Sequence, residues 1–169
     1  MKKLGSTGMK WLKIIHLIGI IIWIGGAICM MVLAFGVPLT TFNEVKNAYA
    51  AMKIIDDIMV RNGALITMIT SLTYGFWTNW GFFKLRWITA KWGIFIGQLI
   101  FAIFFLNRWL EANLVILENE PAGVLNNPAF LRNHVSNQIG MGVMIAAFIL
   151  VIGISVLKPW KKKSGVAPN

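Results

Sequence analysis

The 169-residue chain is 57% hydrophobic and only 13% charged, with a mean hydropathy of +0.71, about half the charge of an ordinary soluble domain, so it reads as a membrane protein. Its net charge of +10 does not indicate nucleic acid, because the positive residues sit at the ends of apolar runs rather than on one face of a soluble fold. A single cysteine, Cys29, excludes an internal disulfide and any two-cysteine metal motif.

The first ten residues, MKKLGSTGMK, read as a short basic tail near a membrane surface. Between Lys13 and Glu44 no charged residue occurs, and at about 1.5 Å per residue the run from Ile14 to Gly36 exceeds the roughly 30 Å hydrocarbon core of a bilayer. It is too long for the apolar region of a signal peptide and is expected to stay as an uncleaved helix. Counting from His16, Gly19, Trp23, Gly26 and Met30 recur at helical spacing and define one stripe. Small residues let a neighbouring helix approach, and an ionisable group in a membrane turns toward protein, so this stripe should face the interior.

Pro38 ends the first helix, and Thr41 with Glu44 has the spacing of a capping box for the next. There Val45, Tyr49, Met52, Ile55 and Met59 form an apolar stripe opposite Lys46, Lys53 and Asp57, the pattern of an amphipathic helix lying at the outer interface. A second span, about 62–83, is rich in hydroxyls: Thr67, Thr70, Ser71, Tyr74 and Thr78 share one face, suited to interhelical hydrogen bonds or to a ligand pocket. A third, about 87–107, contains Lys91 and continues as helix to about Glu118, stopping before Pro121. A fourth runs over about 135–157, and the final residues read as a disordered tail. The first span covers about 12–36, and the fold expected is an all-α integral membrane four-helix bundle in one domain, with the amphipathic helix between spans 1 and 2.

Charge orients it. With a cytoplasmic N-terminus, eleven lysines and arginines fall inside and five (Lys46, Lys53, Arg61, Arg108, Arg132) outside, so both termini are expected in the cytoplasm of a cell whose inner membrane the chain crosses four times. Trp11, Trp80, Trp87 and Trp160 would mark the inner interface. In that topology His16 and Lys91 lie at similar depth, each about a turn inside the cytoplasmic edge, whereas His134 lies near the opposite edge. The two histidines therefore cannot ligate one cofactor within a protomer. His16 is read either as a helix-end histidine satisfied by backbone or headgroup, or as a metal or haem ligand.

The segments KIIHLIGIIIWIGG and RWITAKWGIFIG together resemble the membrane superfamily that contains HemJ-type protoporphyrinogen oxidases and the CopD copper-resistance membrane domain. The likeness lies in four-helix units with a first-helix histidine in H-x-x-G-x-x-x-W-x-x-G and a lysine early in a later helix. It implies haem b or a related tetrapyrrole as cofactor, with His16 as iron ligand and Lys91 pairing with a carboxylate; Gly19, Trp23, Gly26 and Tyr74 would supply the walls. Where HemJ-type proteins place tyrosine, arginine and a second histidine after the tryptophan, this chain has Gly26 to Met31, which points to an uncharacterised branch and leaves a HemJ-like oxidoreductase activity open.

A reading from a different class is copper transport or resistance, since Cys29, Met30, Met31, Met68, Met141 and Met144 cluster near the outer ends of three spans and soft sulfur ligands suit Cu(I). The same methionines also serve as gap-filling packing. A third reading is a scaffold or accessory subunit without cofactor. The lipid bilayer is the partner common to all three; nucleic acid is not expected, and a homo-oligomer is left open.

Overall fold

A computed structural model describes residues 4–78, 82 and 85–160, and among these the chain is all-helical. Helix α1 is Ser6–Gly36, α2 Phe42–Ile55, α3 Arg61–Trp77, α4 Arg86–Phe101, α5 Asn107–Asn119 and α6 Pro128–Leu157. Two of the joints are not loops. A π-helical segment, Asp56–Val60, carries α2 directly into α3, and another, Ala102–Leu106, carries α4 into α5. The chain therefore folds as long helices running back and forth, with a 3₁₀ turn at Val124–Asn126 before the last.

Three of these helices are long and apolar enough to cross a membrane: Ser6–Gly36, Arg86–Asn119 and Pro128–Leu157. Their outward faces are apolar and bare, with Ile21, Ile139, Ile149 and Val156 all strongly exposed, as lipid-facing side chains would be and as a water-soluble surface would not. The remaining long helix, Phe42–Trp77, is too rich in hydroxyl and charged groups to join them on that criterion. Several of its hydroxyls are satisfied locally: Thr70 donates to the Ile66 carbonyl (2.7 Å), Thr73 to Ile69 (2.8 Å) and Thr78, just past its end, to Tyr74 (2.6 Å), whereas the buried Thr67 hydroxyl faces Gly19 of α1 without a hydrogen-bond partner in the protein.

The ends follow local chemistry. Helix α1 begins at Ser6, so the second half of the expected basic tail, residues 6–10, is already helical. Thr41 caps α2 by accepting from the Glu44 backbone N–H at 3.4 Å, and Thr40 and Thr41 both donate to the Glu44 carboxylate, holding its pKa below the usual range. Asn127 caps α6, accepting from the Ala129 and Phe130 backbone N–H groups, with Pro128 in the first turn. The α4–α5 helix ends at Asn119, two residues before Pro121. The expectations for residues 1–3, for Trp80 and Lys84 and for the tail after Trp160 lie outside the described residues.

Helix α1 packs on α3 along the Gly19, Trp23, Gly26, Met30 stripe, all of which is buried. A β-carbon at Gly63 of α3 would strike the Trp23 backbone, at 2.7 Å from its Cα, so the absence of a side chain there sets the interhelical distance. On its other side α1 meets α6, which in turn meets α4 and α5. The apolar stripe of α2 does not lie open at an interface: Val45, Tyr49 and Met52 are fully buried with Leu110, Leu117 and Phe130 in the main core. At this end α1, α2, α5 and α6 close a ring. At the end where α1 begins and α6 stops, α4 rests chiefly on α6 and only its Trp87 and Gln98 are buried, while α3 stays with α1.

Candidate functional site

His16 lies on α1 where the polar face of α3 passes it. Its Nδ1 is 2.8 Å from Thr70 Oγ1, and the Thr70 proton is already donated to the Ile66 carbonyl, so the threonine oxygen accepts from Nδ1–H. This leaves the His16 Nε2 lone pair unprotonated, the form of imidazole that binds a metal. Tyr74 meets the ring edge-on at 5.6 Å. Lys91, on α4, stands over the Trp87 ring, its Nζ 5.4 Å from the centroid.

A chain of aromatic rings links α1, α4 and α6. Trp23 makes edge contacts with Phe95 of α4 (5.6 Å) and Phe148 of α6 (4.8 Å), and Phe95 continues through Trp92 to Phe82. Gly19 and Gly26 face Ile66 and Thr67, and Met59 and Val60, respectively; they set helix spacing rather than line open space. A bare imidazole nitrogen with a tyrosine ring meeting it edge-on fits the chemistry of one iron ligand of a flat, largely apolar ring.

The sulfur residues separate. Met30, Met141 and Met144 line one cavity of about 40 Å³, with Trp23, Asp56 and Asn107 among its other walls. Cys29 is exposed on the outside of α1, and Met68 is not among those walls. Both π-helical segments border the cavity, through Asp56 and Val60 on one side and Ala102 and Leu106 on the other. Sequence periodicity does not reveal these bulges, although such insertions recur at functional positions. At its mouth, Arg61 pairs with Asp56 (3.3 Å) and Asp57 (3.1 Å) and donates to Asn107 (3.3 Å). Burial holds the Asp56 carboxyl above its ordinary pKa against the opposing pull of Arg61 and Lys53, whereas a hydrogen bond from Lys53 lowers that of exposed Asp57.

His134 does not stand at the entrance to that cavity. Its Nδ1 lies 2.8 Å from the Tyr49 hydroxyl, which accepts from Asn113 Nδ2 at 2.9 Å and so gives its own proton to the imidazole. Asn113 also donates to the Phe130 carbonyl and accepts from Asn133. Burial pushes the Tyr49 phenol up to about 12, so it stays a neutral donor. Sequence reading gave Tyr49, Asn113 and Asn133 no part in a polar core. An asparagine recurring on an apolar helical face was the available signal. One turn further along α6, Asn137 is buried with neither amide atom partnered within the protein.

Among the described residues no group of three or more histidines, cysteines or acids is placed to hold a metal ion. No protein-family model matches the chain, and no curated protein or solved structure is significantly similar to it.

Proposed function

We propose that the chain is a four-crossing inner-membrane protein with both termini in the cytoplasm, and that it holds haem b or a related tetrapyrrole near the cytoplasmic face in a redox or haem-handling role. Phe42–Trp77 supplies the fourth crossing through its α3 part; the hydroxyls of Thr70 and Thr73, bonded within the helix, lower the penalty that would otherwise keep so polar a segment out of lipid. The observation that carries the cofactor reading is the His16–Thr70 bond, since it places the imidazole proton on Nδ1 and leaves Nε2 without one. His16 would hold the iron, Lys91 a propionate, and Trp23 and Tyr74 would exclude water. Bound haem would supply one-electron chemistry; the chain itself contributes ligation, orientation and a dry surround.

Full-length protein purified in detergent after expression with ample haem should show a Soret band that is absent in His16→Ala and shifted or weakened in Thr70→Val. A colourless wild-type protein under these conditions would refute the reading.

A second reading is favoured by one observation, the convergence of Met30, Met141 and Met144 on a single cavity beside Asp56. Thioethers with a carboxylate at the mouth suit a soft monovalent ion such as Cu(I). Elemental analysis should then find copper that is lost in Met141→Leu/Met144→Leu and retained in Cys29→Ser and His16→Ala. If neither copper nor chromophore copurifies, a scaffold role takes first place.

A further inference from the structure

At the end where α4 begins and α6 stops, one indole carries two cations. Lys91 Nζ lies 5.4 Å from the Trp87 ring centroid and Lys158 Nζ lies 5.7 Å from it, the first from one turn along α4 and the second from the end of α6. Each gains from the face of the ring, but the two ammoniums repel each other. Among the described residues no carboxylate is paired with either of them. All six acidic residues, Glu44, Asp56, Asp57, Glu111, Glu118 and Glu120, belong to the α2 and α5 segments or their immediate ends. The start of α4 adds to the positive field: Arg86 stands in its first turn, which holds no acid, and Leu85 offers no side-chain cap.

The backbone supplies an independent sign. Lys158 has φ 45° and ψ 56°, and among the described residues it alone has a positive φ without being glycine. This is the position after a helix where glycine is the usual occupant, because a β-carbon is penalised in the left-handed region. A lysine at a helix C-terminus also complements the dipole, yet that benefit is available from the preceding turn without a left-handed backbone. The residue held in the unfavourable conformation is the one whose ammonium reaches Trp87, and local strain of this kind marks positions kept for a task.

We propose that Trp87, Lys91 and Lys158 form a two-cation site for a ligand edge bearing two carboxylates, the propionate edge of the tetrapyrrole whose iron His16 would hold. The proposal rests on the haem reading above and adds Lys158, a residue to which sequence assigned only a place in a basic run. Two ammoniums flanking an indole select a dianionic edge over a neutral one, because each carboxylate relieves the repulsion as well as forming its own charge-assisted contact.

The test titrates haem b and haem b dimethyl ester, in which the carboxylates are masked, into detergent-purified full-length protein, followed by the Soret band. Wild type should bind the free acid about tenfold more tightly than the ester. Lys91→Gln and Lys158→Gln should each weaken free-acid binding several-fold and shrink that preference, with ester binding unchanged. Lys158→Gly separates the role from folding: it should raise the thermal midpoint of the ligand-free protein by relieving the backbone while binding haem as poorly as Lys158→Gln. Haem binding that depends on His16 but is indifferent to Lys158 and to esterification would overturn the two-cation site and leave the haem reading standing. A preference lost in Lys91→Gln alone would also overturn it, assigning the carboxylate to one lysine. Failure of wild type to bind either compound would remove both.

Discussion

The contact between Gly63 and Trp23 makes a sharp test of how α1 and α3 are held. In Gly63→Ala the new β-carbon would sit 2.7 Å from Trp23 Cα and 2.9 Å from its Cβ, where ordinary contacts begin at 3.4 Å. Neither obstacle is the far end of a flexible chain, and the Trp23 ring is itself fixed between Phe95 and Phe148. The helices must part by roughly 1 Å, an overpacking that costs about 1–3 kcal/mol. Against this stands the higher helix propensity of alanine, about 1 kcal/mol. Gly93→Ala in α4 isolates that second effect, since a β-carbon there meets nothing within 4 Å. Subtracting the two variants cancels propensity, and Gly63→Ala should be less stable than Gly93→Ala by about 1–3 kcal/mol. Reversible unfolding in mixed dodecylmaltoside–SDS micelles, followed by far-ultraviolet circular dichroism, measures both. Equal stability of the two variants, or greater stability of Gly63→Ala, would refute the close approach of α1 and α3.

Tyr49→Phe leaves the His134 Nδ1 and one Asn113 N–H without their buried partner and should lower unfolding free energy by about 1–3 kcal/mol in the same assay. Asn137→Leu removes an unpartnered buried amide of similar size and should instead be neutral or stabilising, by up to about 2 kcal/mol; a clear loss would mean that the amide has a partner beyond the protein's own atoms. Asp56 governs a pH effect. Its carboxyl pKa is raised in the fold, so the native state holds more protons than the unfolded one between the ordinary carboxylate value and the raised one. Its contribution is therefore greatest at acid pH and lost as pH climbs through the raised value. The stability of wild type minus that of Asp56→Asn should accordingly fall with rising pH just above the usual carboxylate range, and a flat or rising difference would contradict the burial of Asp56.

What sequence reveals here is what periodicity and composition carry. The buried stripe from His16 to Met30 follows from 3.6-residue spacing, and the Thr41–Glu44 cap from two residue types at a fixed offset. Periodicity also located the buried face of α2, but it could not say whether lipid or protein covers Val45, Tyr49 and Met52, because both are apolar solvents for a side chain. The hydroxyl face of the 62–83 segment was legible as a pattern, and its local effect, fixing the His16 tautomer through Thr70, required the packing of α1 on α3. The methionines were picked out by type and depth; azimuth then divided them, sending Cys29 outward and Met30 inward although they are adjacent. Lys158 could not be singled out from the Lys161–Lys163 run that follows it, since its distinguishing property is a backbone angle.

The paired π segments have a consequence for how substitutions along the two longest helices should be interpreted. Each bulge advances the chain by one residue without advancing the spiral, so the azimuth of every side chain beyond it is displaced by about 100° from where an unbroken helix would put it. Excising a single residue from Asp56–Val60 would rotate α2 against α3, swinging Tyr49 off His134 or Thr70 off His16 depending on which half yields. The interior at one end of the protein is thus phased to the interior at the other by a one-residue insertion, and a shortened chain would be forced to choose between them.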